Sequence, residues 1–347
     1  MVLSEAKHYY TVPKSTPREW RQVPNLQVNL RMPTAESVWE SDEAVYHHNG
    51  KRRYELRGKP ISLPAVVKST IQVLLGLTDS TRDYMSVCRN YPFTSKIPAP
   101  APRLRRTPRQ TRIMLLELDT LMAAVQLSHK FHTRVCAMNL SHDTAVGGRW
   151  TQKKGSQEEC IMRNSSLFLS LWPRRRKGDQ RLIPQSKLFP DVERFYPLTD
   201  VGVVYSPNVA IIRDVDPEEG TSGPLQSPAR WPMVSVVTVV ATDFRFDQYS
   251  IALTKQKLRS VLYACMHEGH EVIVLRAFGC NVLKKNPHVV ADIYNDLLTN
   301  EFFGVFRCVG FSIAFEDDTS VEAFQDVFEM DVASEVDISD MYNSVSV

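Results

Sequence analysis

No Cys-x-x-Cys pair occurs in this chain, and its cysteines, at 88, 136, 160, 265, 280 and 308, show no paired spacing. A disulfide framework or zinc knuckle is therefore not what holds the fold together. Cys136, Cys265 and Cys308 sit inside apolar runs, as reduced core thiols do in a reducing compartment. No stretch approaches the roughly 20 apolar residues of a membrane span. The opening MVLSEAKHYYTVPK lacks the apolar region of a signal peptide. An intracellular protein, in cytoplasm or nucleus and away from membranes, is expected. Charge of one sign is also missing. The net charge is only +3, which gives no footing for sequence-specific nucleic-acid binding. No His/Cys/Asp cluster stands at metal-ligand spacing, so neither metal nor cofactor is expected. Lys and Arg vanish after residue 315, where ten acids follow (316, 317, 318, 322, 326, 329, 331, 335, 337, 340).

What is present suffices for a core. The 347 residues are 43% hydrophobic, which suits one large domain with extensions or two small ones. Residues 1–50 read as a loose extension. The segment 64–77 has apolar residues at helical spacing (Val66, Val67, Ile71, Leu74, Leu75), with Pro64 in its first turn. Residues 91–112 form a Pro/Arg-rich loop, and 174–177 a basic run. From Arg112 strands alternate with helices. Residues 112–118 read as a strand, Asp119 caps a helix over 120–131, and 134–140 is a strand buried on both faces. A helix follows over 158–171, with Ile161, Leu167 and Leu171 inward and Arg163 and Asn164 outward. Two short strands, 201–207 and 208–214, precede a loop over 214–230. The β-branched run from Met233 is the most strand-like in the chain. Next come a helix over 250–268, striped by Leu258, Val261, Leu262 and Cys265 and stopped by Gly269, and a strand from Glu271. Pro287 then opens a helix, and the last strand lies over 305–315. His267 and His270 bracket a helix end, where surface or dipole roles are expected. The acidic end, 316–347, reads as a mobile tail. The alternation implies an α/β layered fold with a mostly parallel or mixed sheet, binding its ligand where loops leave the carboxyl ends of strands.

The chemistry concentrates in 139–172. A strand ends near Asn139, Gly147-Gly148 follow, and a helix starts at Gln157-Glu158-Glu159. A glycine pair lets backbone amides approach a phosphate, a helix N-terminus adds free N–H groups, and paired carboxylates suit proton transfer. The stretch therefore reads as a diphosphate cradle with an acid at one end. A plainer reading stands beside it: Ser156-x-x-Glu159 also fits a capping box. A second glycine-bearing loop, 277–287, leaves another apolar strand, and two such loops over a sheet edge would clamp a diphosphate from both sides.

These residues resemble the microbial-type poly(ADP-ribose) glycohydrolases. Gly147-Gly148-Arg149-Trp150, six residues, then Gln157-Glu158-Glu159 is similar to the family's Gly-Gly-Gly and Gln-Glu-Glu signature. Asn139-Leu140-Ser141, Tyr205-Ser206-Pro207 with Arg213-Asp214, Ala277-Phe278-Gly279-Cys280, and Asp119-Thr120-Leu121 resemble its other segments, in order, over about residues 51–315. The resemblance implies a three-layer α/β/α macrodomain with a central mixed sheet and an N-terminal helical extension, preceded by 1–50 and followed by 316–347. It implies hydrolysis of ribose–ribose O-glycosidic bonds in poly(ADP-ribose), with Glu159 as general acid and Glu158 positioning ribose hydroxyls. It implies a ligand site of Gln157, Asn139, Val146, Gly147, Gly148, Arg149, Gly279, Cys280, Asn281, Val282 and Leu283. The partner would be ADP-ribose or its polymer on modified proteins, bound by a monomer.

Three positions depart from the family: Arg149 for the third glycine, Asn281 for the glycine after the cysteine, and Leu283 for an aromatic. A Cβ at 149 crowds a phosphate where φ turns positive, although Arg also suits phosphate. Asn281 is the milder change, and Leu283 keeps apolar contact without ring stacking. The intact glutamates favour an enzyme, and the altered loops favour an ADP-ribose-binding module without turnover.

Overall fold

The apolar run Val135–Ser141 forms the middle strand of a seven-stranded sheet. The computed structural model describes residues 45–48, 51–54, 62–80, 89–91, 111–116, 118–152, 156–171, 196–215, 222–226, 231–241, 249–280, 286–313 and 317–329. In chain order the strands are β1 (Val45–His48), β2 (Lys51–Tyr54), β3 (Arg89–Tyr91), β4 (Arg112–Leu116), β5 (Val135–Ser141), β6 (Val203–Ala210), β7 (Arg213–Val215), β8 (Ser222–Leu225), β9 (Met233–Val240), β10 (Val272–Arg276) and β11 (Cys308–Ser312). The helices are α1 (Leu63–Ser80), α2 (Thr120–Phe131), α3 (Gln157–Asn164), α4 (Leu167–Leu171), α5 (Tyr249–His267), α6 (Pro287–Asp296), continued by a π-helical turn Leu297–Glu301, and α7 (Asp318–Val327).

The sheet order is β3-β6-β9-β5-β10-β11-β4. Strands β9, β5, β10, β11 and β4 run parallel, while β6 is antiparallel to both its neighbours. The alternation of side chains sorts the core into two layers. Val135, Ala137, Val272 and Val274 face one cluster with Leu121, Ala124, Ile161 and Phe168 from α2, α3 and α4. Cys136, Met138, Ile273 and Leu275 face the other, with Leu258, Leu262, Val290 and Tyr294 from α5 and α6. This is an α/β fold with a mixed sheet between helical layers. Parallel strands place the carboxyl ends of β4, β5, β9, β10 and β11 along one edge, where the site is built.

Most elements follow their local chemistry. Asp119 accepts from the Leu121 amide at 2.7 Å and starts α2 as expected. The stripe Leu258, Val261, Leu262 and Cys265 is wholly buried, and Gly269, at φ +79°, ends the α5 segment. Asn286 caps α6, with Pro287 at its start.

Several expectations need correcting. The helix expected over 158–171 is two pieces, α3 and α4, parted at Ser165-Ser166, where Ser165 bridges to Ile211. Arg163 and Asn164 point inward, not outward, at 1% and 0% exposure. The reason is tertiary: α1 covers this face, the Thr70 hydroxyl donates to the Arg163 carbonyl, and Arg163 Nη1 donates to the Trp150 carbonyl at 3.0 Å. The two strands expected over 201–214 are one bulged strand, β6, and then β7. The register shifts between Ser206 and Val209, and Asn208 takes φ +54°, which Asn tolerates. Within the loop expected over 214–230, Ser222–Leu225 pairs with β7.

His270 is not a surface group. It is 3% exposed, bonded to the Tyr205 hydroxyl at 2.9 Å, and burial lowers its pKa to about 4. The acidic segment from 316 contains α7, whose Phe324 is buried against Tyr294 and Phe311. The segment 63–80 packs into the domain: Val73 and Leu74 join the buried clusters, and Val66 is buried. The hairpin of β1 and β2 crosses the boundary expected at residue 50. The Pro/Arg-rich 92–110 and the basic 174–177 lie outside the described residues. Among the described residues, no helix is long and apolar enough to cross a membrane, and no group of three His, Cys, Asp or Glu stands ready for a metal ion.

Candidate active site

The site starts from how α3 is moored. Gln157, its first residue, lies across the end of β5: its Oε1 accepts from the Leu140 amide at 2.8 Å, and its Nε2 donates to the Met138 carbonyl at 2.7 Å. The same Nε2 donates to Thr120 Oγ1 at 3.0 Å, tying the N-termini of α2 and α3 together. Ser156 and Glu159 form a full capping box: the Glu159 amide donates to Ser156 Oγ, and the Ser156 amide to Glu159 Oε2. The plainer reading of this motif therefore holds for the backbone of the site.

The glycine loop wraps the two carboxylates. Gly147 and Gly148 take φ +74° and +55°, a left-handed pair that L side chains rarely adopt. A Cβ on Gly147 would lie 2.7 Å from Trp150 Cδ1. The turn aims its amides inward. The Gly147 amide donates to Glu158 Oε1 at 3.0 Å, the His142 amide to Glu158 Oε2 at 2.7 Å, and the Arg149 amide to Glu159 Oε1 at 3.1 Å. The Gly148 amide is held by the Ala145 carbonyl. The loop expected to present free amides to a diphosphate thus spends three of them on its own glutamates. Arg149 does not take a positive φ, so its Cβ meets no left-handed strain, and its side chain is exposed.

Both carboxylates face one spot. A Cβ on Gly148 would lie 3.6 Å from Glu159 Oε1 and 3.8 Å from Glu158 Oε2. Glu158 is 2% exposed and Glu159 7%. Burial raises the Glu158 carboxyl to about 7, against the pull of the His142 and Gly147 amides and the Ser141 and Asn139 side chains.

Of the residues singled out from sequence, Asn139, Val146, Gly147, Gly148, Arg149, Gln157, Glu158 and Glu159 come together at the end of β5 and the start of α3. Asn139 is wholly buried and donates to Thr238 Oγ1 at 3.3 Å, and Val146 is 8% exposed. Gly279 (φ +77°) and Cys280 follow the neighbouring strand β10, with Cys280 buried. Asn281, Val282 and Leu283 lie outside the described residues. The sequence reading missed Ser141, His142 and Tyr196 around Glu158. Ser141 lies inside the quoted Asn-Leu-Ser segment, while Tyr196 carries no motif that would have marked it.

Comparison with known proteins fits this geometry. Residues 73–214 match the family model for the microbial-type PARG catalytic domain. No curated protein sequence matches. Among solved structures, the chain is 24% identical to a poly(ADP-ribose) glycohydrolase from Thermomonospora curvata, with a TM-score of 0.56 over 77% of this chain and 99% of that one. The same enzyme bound to the inhibitor ADP-HPD gives 24% and 0.56 over 76% and 98%. The enzyme from Deinococcus radiodurans in complex with ADP-ribose gives 24% and 0.53 over 72% and 96%. These likenesses carry the fold, and the family match carries the relationship. Through residues 73–214, the chain is similar to the microbial-type PARG catalytic domain family.

Proposed function

We propose that this protein hydrolyses ribose–ribose O-glycosidic bonds in poly(ADP-ribose), releasing ADP-ribose, with Glu159 as general acid. The observation that carries the reading is the convergence of the Glu158 and Glu159 carboxylates on Gly148, at the carboxyl edge of the sheet. Glycosidic cleavage passes through an oxocarbenium-like state, which needs a proton on the leaving oxygen and an activated water. Glu159 gives its proton to the leaving ribose oxygen as the bond to the anomeric carbon breaks. Water adds to that carbon and returns a proton to the carboxylate. Glu158 holds the ribose hydroxyls. Burial raises its carboxyl to about 7, so it is partly protonated near neutral pH. The bound ligands of the two bacterial enzymes, ADP-ribose and ADP-HPD, support an ADP-ribose unit as the occupant. Asn139, Val146 to Arg149, Gln157, and Gly279 to Leu283 are its proposed contacts.

A second reading has its own observation. The inward amides of Gly147 and Arg149 leave the first loop with less to offer a diphosphate, as in an ADP-ribose-binding module without turnover. Release of ADP-ribose from polymer, together with calorimetric titration of ADP-ribose, separates the two. E159Q lowers release by about 10²–10⁴-fold, the usual weight of a general acid, and leaves ADP-ribose binding near wild type. Wild-type binding with no release would select the module, and no binding would remove both readings.

A further inference from the structure

The loop that holds Glu158 and Glu159 turns on two glycines. Glycine takes left-handed and right-handed φ about equally well, so Gly147 and Gly148 do not choose their own turn. The turn is fixed from outside the pair, and Trp150 is where it is fastened. The Trp150 amide donates to the Gly147 carbonyl at 3.1 Å, across the glycine pair. Its ring is buried, with its centroid 5.2 Å from that of Phe168 on α4. Its carbonyl accepts from Arg163 Nη1 at 3.0 Å, away from solvent. Arg163 stands one helical turn after Glu159 on α3, so the two side chains share a face. They take hold of consecutive loop residues. Glu159 Oε1 accepts from the Arg149 amide at 3.1 Å, and Arg163 donates to the Trp150 carbonyl. One side chain accepts and the other donates, so both ends of the Arg149-Trp150 segment are tied to α3. A guanidinium keeps its charge when buried, which strengthens its bond to the carbonyl. Behind it, the buried Thr70 hydroxyl of α1 donates to the Arg163 carbonyl at 2.9 Å and ties this end of α3 in turn.

We infer that Arg163 is a positioning residue of this site: through the Trp150 carbonyl it holds the glycine loop in the turn that aims its amides at Glu158 and Glu159. It acts through the loop, not on the ligand, and Thr70 supports it from α1. The catalytic meaning of the inference rests on the proposed function. The hold on the loop is a property of the unliganded protein and stands apart from it.

Hydrogen exchange of the unliganded protein, followed by mass spectrometry, reads the loop directly. R163M keeps an apolar stem and removes the donor. Exchange over 145–152 is expected to quicken about 10–100-fold in it, the weight of one hydrogen bond to a charged group. The middle of β5, residues 136–138, is expected to keep its wild-type rate, because it belongs to the sheet and not to the loop. R163K retains a charged donor and brings the loop back toward wild type. T70V quickens the same segment by less, and T70S, which keeps the hydroxyl, restores it. An unchanged loop in folded R163M overturns the inference. So does equal quickening of loop and β5, which marks a general loss of stability. If R163M does not fold, T70V and T70S decide by the same comparison. Turnover of poly(ADP-ribose) adds a second reading. R163M is expected to lower kcat by up to about 100-fold, as a misplaced catalytic group does, with KM near wild type, and R163K to recover kcat. A raised KM with unchanged kcat contradicts a positioning role. Wild-type protein that releases no ADP-ribose, with quickening confined to the loop in R163M, removes the function and leaves the positioning role. Release by wild type with an unmoved loop in R163M does the reverse.

Discussion

Gly147 and Gly148 place the glutamates by being small and left-handed. At Gly147 an added methyl group meets both a backbone penalty and Trp150 Cδ1 at 2.7 Å; at Gly269, with φ +79°, nothing lies within 4 Å. Gly269→Ala is therefore expected to cost about 1–2 kcal/mol, the left-handed penalty alone. Gly147→Ala adds overpacking and costs about 2–4 kcal/mol, so chemical denaturation of the two variants isolates the clash. Glu158 contributes the opposite way to its ordinary counterparts. Its carboxyl is raised to about 7 in the folded protein, so between the unfolded value of 4.5 and 7 the native state binds the extra proton. Stability from this group is complete below pH 4.5 and declines as pH rises through 7, by at most about 3 kcal/mol. E158Q should therefore gain on wild type as denaturation is repeated from pH 5 to pH 8. A constant difference across that range contradicts the burial of this carboxyl. At this scale the pair Glu158-Glu159 was legible in the sequence, because it combines two local signals, a glycine turn and a helix start. Tyr196 was not, because its place beside Ser141 depends on the fold.

Element by element, the capping box and Gln157 moor α3 to β5 and α2. Ser156→Ala removes the side-chain acceptor of the Glu159 amide and should cost about 1 kcal/mol of stability by thermal melting. α7 is the element least visible beforehand. Its acids mark it as solvated, and one face of it is, yet Phe324 is fully buried between Tyr294 and Phe311. Phe324→Ala is expected to destabilise the protein by about 3–5 kcal/mol, whereas substitution in a mobile tail costs nothing. Net charge hid an apolar face that includes Ala323 and Phe324. Arg163 was misjudged for the mirror reason. A charge predicts exposure until another element, here α1, covers it and the Trp150 carbonyl accepts its proton. By contrast Asp119, Gly269 and Pro287 bounded their elements as expected, because caps and breakers act through neighbours in sequence.

Across the whole molecule, five parallel strands bring the ends of β4, β5, β9, β10 and β11 to one edge, and both glycine-bearing loops leave from it. The order of strands was legible only as a class, since alternation implies a layered α/β fold without fixing which strands are neighbours. The antiparallel β6, with its bulge at Asn208, is where that inference stops. The central claim is that this edge is a glycohydrolase site whose acid is Glu159. The most direct measurement is ADP-ribose released from poly(ADP-ribose) by the wild-type protein and by E159Q. Release by wild type, reduced at least about a hundredfold in an E159Q protein that still binds ADP-ribose, is the predicted result. Equal release by the two proteins, or none by wild type, would contradict it.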